Sequence, residues 1–336
     1  MTIKVHLVPP ERVFQGVHHY LSGCYHRIME CASQTLASEH STEPALIDDP
    51  DQADLVIFPI QGGECGPCFE RLRSCQFYRK YSRRSVVYST NDLQYPAVPG
   101  LYPGLPSRWH RPGWAVTAHY LTTWIQDPNY SLDEIANKDI LYSFVGSSQT
   151  HPFRRRLVAM NHPRGVISDA TPPSDARYWW QKEDKEQMEA RYRDITRRSK
   201  FVLCPRGVSP LSCRFFHAMA AAAVPVLIAD DAVLPAGPDW SRCIVQVPES
   251  DIPAIPKLLS TLEPQSNEMG AAARRNWEEF FSPRASLRYL CNLGLQVVPN
   301  SQSGVRRVVQ KLGVRATEFA TFSVVRGKAR YRLRGT

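Results

Sequence analysis

Short apolar runs alternate with longer mixed stretches along most of the chain. In the first third, Ile3–Val8, Asp54–Pro59 and Ser85–Ser89 are brief runs rich in Val, Ile and Leu and read as strands. His18–Ser33 and Phe69–Ser82 read as helical. Residues 91–113, NDLQYPAVPGLYPGLPSRWHRPG, are dense in Pro and Gly and predict irregular chain; long structured loops of this kind usually bind or link. A second alternating block begins near Asp139. It offers a strand ILYSFVG, a helix PFRRRLVAM, a strand GVISDA, a polar helix at 183–198 and a strand KFVLCP. A helix at 210–222, strands VPVLIAD and CIVQVP and a helix at 251–262 follow.

Strands alternating with helices predict parallel sheets covered on both faces. Two such blocks, joined near residues 125–138, predict an α/β chain of two Rossmann-like domains facing across a cleft. The expected division is 1–135, 136–300 and a tail 301–336. Open α/β sheets bind ligands beyond the carboxyl ends of their strands, so the loops that follow strands carry the chemical interest.

Composition changes this picture little. Of the 336 residues, 43% are hydrophobic and 22% charged, as in ordinary globular chains. No apolar run approaches the roughly 18 residues of a membrane span. The opening MTIKVHLVPPERVF lacks the longer apolar core of a secretory signal. The chain is therefore expected to be cytoplasmic, with its nine cysteines reduced; their odd count also argues against a disulfide framework. Charge is uneven. Residues 301–336 hold nine basic side chains against the single acid Glu318, which accounts for eight of the nine net positive charges. The body is then nearly neutral, and no nucleic-acid partner is expected. The tail is a candidate for peripheral contact with an anionic membrane surface, and equally a solvated basic terminus. Its alternation around Arg326-Gly327-Lys328 suits a hairpin.

The richest loop follows KFVLCP. It reads RGVSPLSCRFFHAMAAAAVPVLIAD, a strand end, a short loop, a helix and another strand. Gly207 lets the backbone turn closely, and Ser209 or Ser212 can cap a helix that Pro210 helps to start. Amide groups and the dipole at that helix start favour an anion such as a diphosphate. Arg206 and Arg214 add fixed positive charge suited to phosphate oxygens. Arg214 and His217, three apart, share one helix face, and the Ala-rich run 218–223 lets the helix lie close to its sheet.

This block resembles the signature region of exostosin-type glycosyltransferases. The resemblance is carried by Phe201, Leu203, Pro205, Arg206, Gly207, Ser212, Arg214, Ala218, Pro225, Val226, Asp230, Leu234, Pro235, Asp239, Trp240 and Glu249. ILYSFVGSSQTHPFRRRL is similar to the family's Phe-x-Gly strand and following Arg-x-x-Leu helix, which brings in Gly146 and Arg154. The resemblance implies a GT-B fold and an inverting, metal-independent sugar transfer without a cofactor. The nucleotide-sugar donor, a UDP-sugar first, would sit on the second domain. The acceptor, a glycan or lipid-linked glycan in polysaccharide synthesis, would sit on the first. Donor contacts would come from Gly146, Arg154, Pro205, Arg206, Gly207, Ser209, Ser212 and Arg214. Where the family carries an acid for the ribose hydroxyls, this chain has His217, and a neutral imidazole offers one acceptor and one donor.

An inverting transfer needs a base for the acceptor hydroxyl. Asp92, after the strand at Ser85–Ser89, is the first candidate, and a simple Asn-Asp turn is the competing reading. Glu64 is the second, against a plain surface acid. Arg154, with Arg155 and Arg156 beside it, also fits a solvated basic turn. Asp49 and Asp51 form Asp-x-Asp, a metal-holding triplet elsewhere, but they precede a strand and read as loop. Cys65, Cys68 and Cys75 lack a nearby fourth ligand for structural zinc. Cys65-Gly-Pro-Cys68 after a strand also suggests a thioredoxin-like oxidoreductase. A non-catalytic binder that retains the glycosyltransferase fold is a further alternative.

Overall fold

A computed structural model describes residues 2–13, 23–36, 43–60, 65–91, 96–121, 138–171 and 185–298. Six strands form the first sheet: β1 (Lys4–Leu7), β2 (Ala45–Leu46), β3 (Leu55–Ile60), β4 (Ser85–Ser89), β5 (Gly100–Leu101) and β6 (Ala115–Val116). Their order is β2-β1-β3-β4-β5-β6, and each neighbouring pair is parallel. Five more form the second: β7 (Ile140–Gly146), β8 (Gly165–Asp169), β9 (Ser199–Pro205), β10 (Val224–Ile228) and β11 (Val245–Val247). They run β11-β10-β9-β7-β8, again wholly parallel.

The helices are α1 (Gly23–Leu36), α2 (Cys65–Ser74), α3 (Gln76–Tyr81), α4 (Arg154–Val158), α5 (Lys185–Arg198), α6 (Cys213–Ala220), α7 (Ile255–Leu262), α8 (Ser266–Asn276) and α9 (Pro283–Val297). The expected two α/β blocks are present. The stretch expected to be irregular hides β5 and one turn of 3-10 helix at Ser107–Trp109, and β6 follows just beyond it. Two-residue strands amid Pro and Gly leave no alternation to read.

The period-two geometry of the strands distributes the core over three layers. Val56, Phe58, Ile60 and Val87 face one side of the first sheet, where α2 and α3 lay Phe69, Leu72, Tyr78 and Tyr81 over them. Phe201, Leu203, Val224, Val226 and Ile228 face the far side of the second sheet, with Leu157, Ile255 and Leu259. The intervening residues Leu55, Ile57, Val86, Tyr88, Val202, Cys204 and Leu227 all belong to one shared central cluster with α1, α6 and α9. The two sheets thus share this central layer.

The last helix makes that sharing physical. After packing in the second unit, α9 lies against the first: a Cβ on Gly294 would press on Leu55 at 2.8 Å and Val86 at 3.4 Å. Arg288 on the same helix pairs with Glu43 at 2.7 Å. The chain from 136 to 300 therefore builds part of the first unit's cover as well as the second sheet. The tail beyond 298, with its expected hairpin, lies outside the described residues.

His119, just after β6, sits at this junction. It is fully buried among the rings of Phe216, Phe281 and Tyr289. Its Nε2 lies 2.8 Å from Ser286 Oγ on α9, and that hydroxyl reaches the carbonyl oxygens of Ser282 (2.8 Å) and Phe281 (3.1 Å). The hydroxyl proton goes to a carbonyl, so the imidazole donates through Nε2–H. Its bare Nδ1 has no hydrogen-bond partner among the described residues. Burial pushes the ring down to about 3, which keeps it neutral.

The linkage has a definite sign. Unfolded His119 protonates near its ordinary value of 6.5, while the folded ring does not until about 3. Unfolding therefore takes up a proton in that window, and stability falls as pH drops through it. Between pH 5 and 6, above most carboxylate titrations, His119→Gln should reduce the slope of unfolding free energy against pH by about 1.4 kcal/mol per unit. Denaturant melts at several pH values measure this. An unchanged slope would show that the ring titrates normally in the fold.

Candidate functional site

The loops at the carboxyl ends of β7, β9 and β10 converge. β9 ends at Pro205, Arg206 N donates to Ile228 O at the end of β10 (2.9 Å), and Gly207 N donates to Ser209 O (3.0 Å). This closes a tight loop ahead of α6. Ser212 is the N-cap residue in extended conformation (φ −126°, ψ 160°), but its side chain does not bond the first turn. Its buried Oγ has no partner among the described residues. The first turn of α6 therefore has no side-chain cap; Phe215 N donates to Ser212 O (3.1 Å), and the Arg214 amide faces the loop.

Two guanidinium groups lie beside that point. Arg154, at the start of α4, is 5% exposed. Its Nε donates to Arg206 O (2.7 Å), Nη1 to Ser147 O (3.0 Å) and Nη2 to Pro205 O (2.8 Å). The planar fork, with its donors spread over three nitrogens, thereby ties the loop after β7 to the loop after β9. Arg214, in the first turn of α6, donates through Nε (3.2 Å) and Nη2 (2.6 Å) to Val145 O. Both cations stack over Phe144, at 4.9 Å for Arg214 and 5.7 Å for Arg154. Burial, and then the nearby Arg214 charge, pulls Arg154 down to about 9.

All the hydrogen bonds described for these two arginines go to neutral carbonyl oxygens, and no carboxylate among the described residues ion-pairs with either. Two adjacent positive charges are left without a counter-charge in a poorly solvated place. That arrangement attracts a dianion.

Close approach sets the glycines. A Cβ on Gly146, the last residue of β7, would collide with the Arg214 guanidinium. One on Gly207 would come within 3.2 Å of Arg154 Nη2 and 3.3 Å of Thr150 Oγ1. The loop after β7 is held from its other side by Asp169, at the end of β8. The Asp169 carboxylate accepts from Ser148 N (3.1 Å), Ser148 Oγ (2.6 Å), Thr171 N (3.0 Å) and Thr171 Oγ1 (2.5 Å). Burial alone would raise this carboxyl, but these donors outweigh it and hold it below the ordinary range.

His217 is placed differently from the expectation of a ribose contact. It is fully buried on the inner side of α6, with Nδ1 3.1 Å from Tyr192 Oη on α5. Burial first, then Arg214 and Arg27, presses it down to about 3, so it is neutral. It braces α6 against α5 from inside. Lys138 braces the same pair from their ends, donating to Arg197 O (2.6 Å) and Ala221 O (3.0 Å).

The structure thus brings together Gly146, Arg154, Pro205, Arg206, Gly207, Ser209, Ser212 and Arg214 around one loop. Asp92 and Glu64, the candidate bases, lie outside the described residues, as does the side chain of Cys65. Cys68 is half-buried early in α2 and forms no disulfide among the described residues. Asp51 of the Asp-x-Asp triplet pairs with Lys80 at 3.0 Å and accepts from Tyr81 Oη at 3.0 Å. Asp49 caps the turn at Pro50–Gln52. Asp231 was missed by the sequence reading. It directly follows the VPVLIAD segment, at the carboxyl edge where ligand loops were sought, and it pairs with Arg206 at 2.6 Å.

A wholly parallel sheet with a turn, two uncompensated arginines and a helix start at its carboxyl edge is an α/β arrangement suited to a phosphate group. Residues 127–262, which carry the whole of this loop cluster, match the exostosin GT47 domain. A probable glucuronosyltransferase of Oryza sativa subsp. japonica is 39% identical over 75 residues, 22% of this chain and 17% of the rice protein. A probable beta-1,4-xylosyltransferase of Arabidopsis thaliana is 37% identical over 76 residues, 22% of this chain and 18% of its own length. The chain thus matches about a fifth of these relatives. Among solved structures, a glycosyltransferase from Rickettsia africae aligns over 89% of this chain and 99% of its own, with TM-score 0.45 and 8% identity. An Anabaena protein, HepE, in complex with UDP and glucose, aligns over 90% of this chain and 100% of its own, with TM-score 0.42 and 9% identity.

Gly146→Ala should displace the Arg214 guanidinium while leaving the strand intact. Isothermal titration with UDP should show affinity reduced by about tenfold or more, the equivalent of about 1.4 kcal/mol, with the melting temperature little changed. Unaltered affinity would remove Arg214 from the anion site.

Proposed function

We propose that the chain transfers a sugar from a nucleotide-sugar donor to a glycan or lipid-linked glycan acceptor, with inversion and without a metal ion. The observation that carries this reading is the pair Arg154 and Arg214, uncompensated by any described carboxylate, beside the uncapped start of α6. A departing nucleoside diphosphate carries its developing charge where a metal-independent enzyme must supply protein donors. Arg214 Nη1 and the Arg214 backbone amide in the first turn of α6 are those donors here, with Arg154 holding the loops in register. Ser212 Oγ is a further donor for a phosphate oxygen. UDP-sugars are the first donors to consider, and the names of the relatives put glucuronosyl and xylosyl groups foremost.

Within this reading, Asp92, which follows β4 in the sequence, takes the acceptor proton, with Glu64, which follows β3, as the second choice. Both follow strands of the first sheet, so an acceptor held there would face a donor on the second. The basic segment 301–336 is the part that would contact an anionic membrane surface, at the cytoplasmic face.

The test is a panel of nucleotide sugars incubated with the full chain, scored for release of free nucleotide. Slow hydrolysis of a UDP-sugar is expected in EDTA as well as without it. Arg214→Ala should lower the rate at least a hundredfold, on the scale of losing one main transition-state donor. No nucleotide release from any sugar, with no thermal stabilisation by UDP, GDP or CMP, would contradict the proposal.

A further inference from the structure

The third arginine of the donor loop stands in different company. Arg206 Nη1 lies 2.6 Å from Asp231 Oδ1 and 3.6 Å from Glu249 Oε1, with only 16% of its side chain exposed. The other carboxylate oxygen of Asp231 takes Arg108 Nη1 at 3.3 Å. Arg108 belongs to the first unit, on the loop that leaves β5. The backbone of Asp231 makes the same crossing: its carbonyl accepts from Ser107 N at 2.8 Å, and its neighbour Ala232 forms an antiparallel bridge with Pro106. Asp231 is therefore engaged through all three of its acceptor oxygens, two of them by the other unit.

The same loop touches the donor loop directly. Gly104, at φ 79°, packs so closely that a Cβ there would lie 3.0 Å from both Leu211 O and Ser209 Cβ. Loop 104–109 leaves the carboxyl edge of the first sheet and meets the loops after β9 and β10 at the carboxyl edge of the second. This is the seam at which the two sheets face each other.

We propose that Asp231 is a positioning residue that couples docking of loop 104–109 of the first unit to the orientation of Arg206 in the donor loop. The inference rests on the reading of that loop as a nucleotide-sugar site. One carboxylate is shared between two guanidinium groups, one from each unit, and each arginine limits how the carboxylate can turn. Removing Arg108 loosens Asp231 and, through it, Arg206. Removing Arg206 loosens the seam on the other side. Glu249 and Asp230 steady the arrangement from behind, since Asp230 N donates to Glu249 Oε1 (3.3 Å) and Glu249 N to Asp230 Oδ1 (3.0 Å). Arg108, in the acceptor-side unit, thereby influences the donor without reaching it.

Two measurements on the full chain test the coupling. The first is hydrogen exchange without ligand. Arg206→Gln should speed exchange of the Ser107 amide about tenfold, although the two residues lie in different units. The second is UDP titration. Arg108→Gln should weaken UDP binding about fivefold in the wild-type background and have no further effect in Asp231→Asn, whereas Arg108→Lys should recover most of the affinity. A merely structural seam would lower the melting temperature in all variants without this non-additivity. The coupling is overturned if Arg206→Gln leaves residues 104–109 unaltered, or if the Arg108→Gln and Asp231→Asn effects on UDP simply add. Should wild-type chain bind no UDP, the nucleotide-sugar reading fails, and the exchange result alone decides the coupling.

Discussion

One buried guanidinium gathers the carbonyl oxygens of Ser147, Pro205 and Arg206 at 2.7 to 3.0 Å. Those oxygens end two neighbouring parallel strands, where the ladder stops and the backbone would otherwise need water. Arg154 satisfies them from inside, and so fixes the loop after β7 against the loop after β9. Everything else at this edge inherits that placement. Gly146 can then lie under Arg214, Gly207 can turn past Thr150, and α6 can begin without a side-chain cap. An unsatisfied buried carbonyl costs about 1–3 kcal/mol, so three of them make this fork a condition for the loops' shape.

The charge pattern follows from the same geometry. Arg154 and Arg214 both lie over the Phe144 ring and bond only carbonyls, whereas Arg206, farther along the loop, is answered by Asp231 and Glu249. The site is thus divided. Its interior holds uncompensated positive charge suited to a diphosphate. Its rim is a balanced ionic seam between the two units. A single cluster of like charges would repel itself; this division keeps attraction where an anion would sit and cohesion where the units meet.

Local features of this arrangement were legible in the sequence, and the non-local ones were not. Strand β9, the turn at Gly207, the helix start at Ser212 and the charge of Arg214 all lie within about 20 residues of chain. Strand-loop-helix order and residue type suffice for them. Arg154 was visible as a cation near the site, but its attachment to three carbonyls depends on the spacing of two strands about 50 residues apart. His217 reads as a polar residue on the face of Arg214, and only the packing of α5 shows it to be internal, against Tyr192. Asp231 and Arg108 are 123 residues apart, so no periodicity links them. The return of α9 onto the first sheet is likewise a tertiary choice, since its amphipathic pattern says that one face is buried but not against what.

The account rests on the claim that the start of α6 and Arg214 form the diphosphate site. A crystal structure of the chain with UDP tests it most directly. Both phosphates are expected at the first turn of α6, within hydrogen-bond distance of the Arg214 amide and of Arg214 Nη1, with the three carbonyl bonds of Arg154 intact. A diphosphate bound at another place on the chain, or no nucleotide density there at saturating UDP, would contradict it.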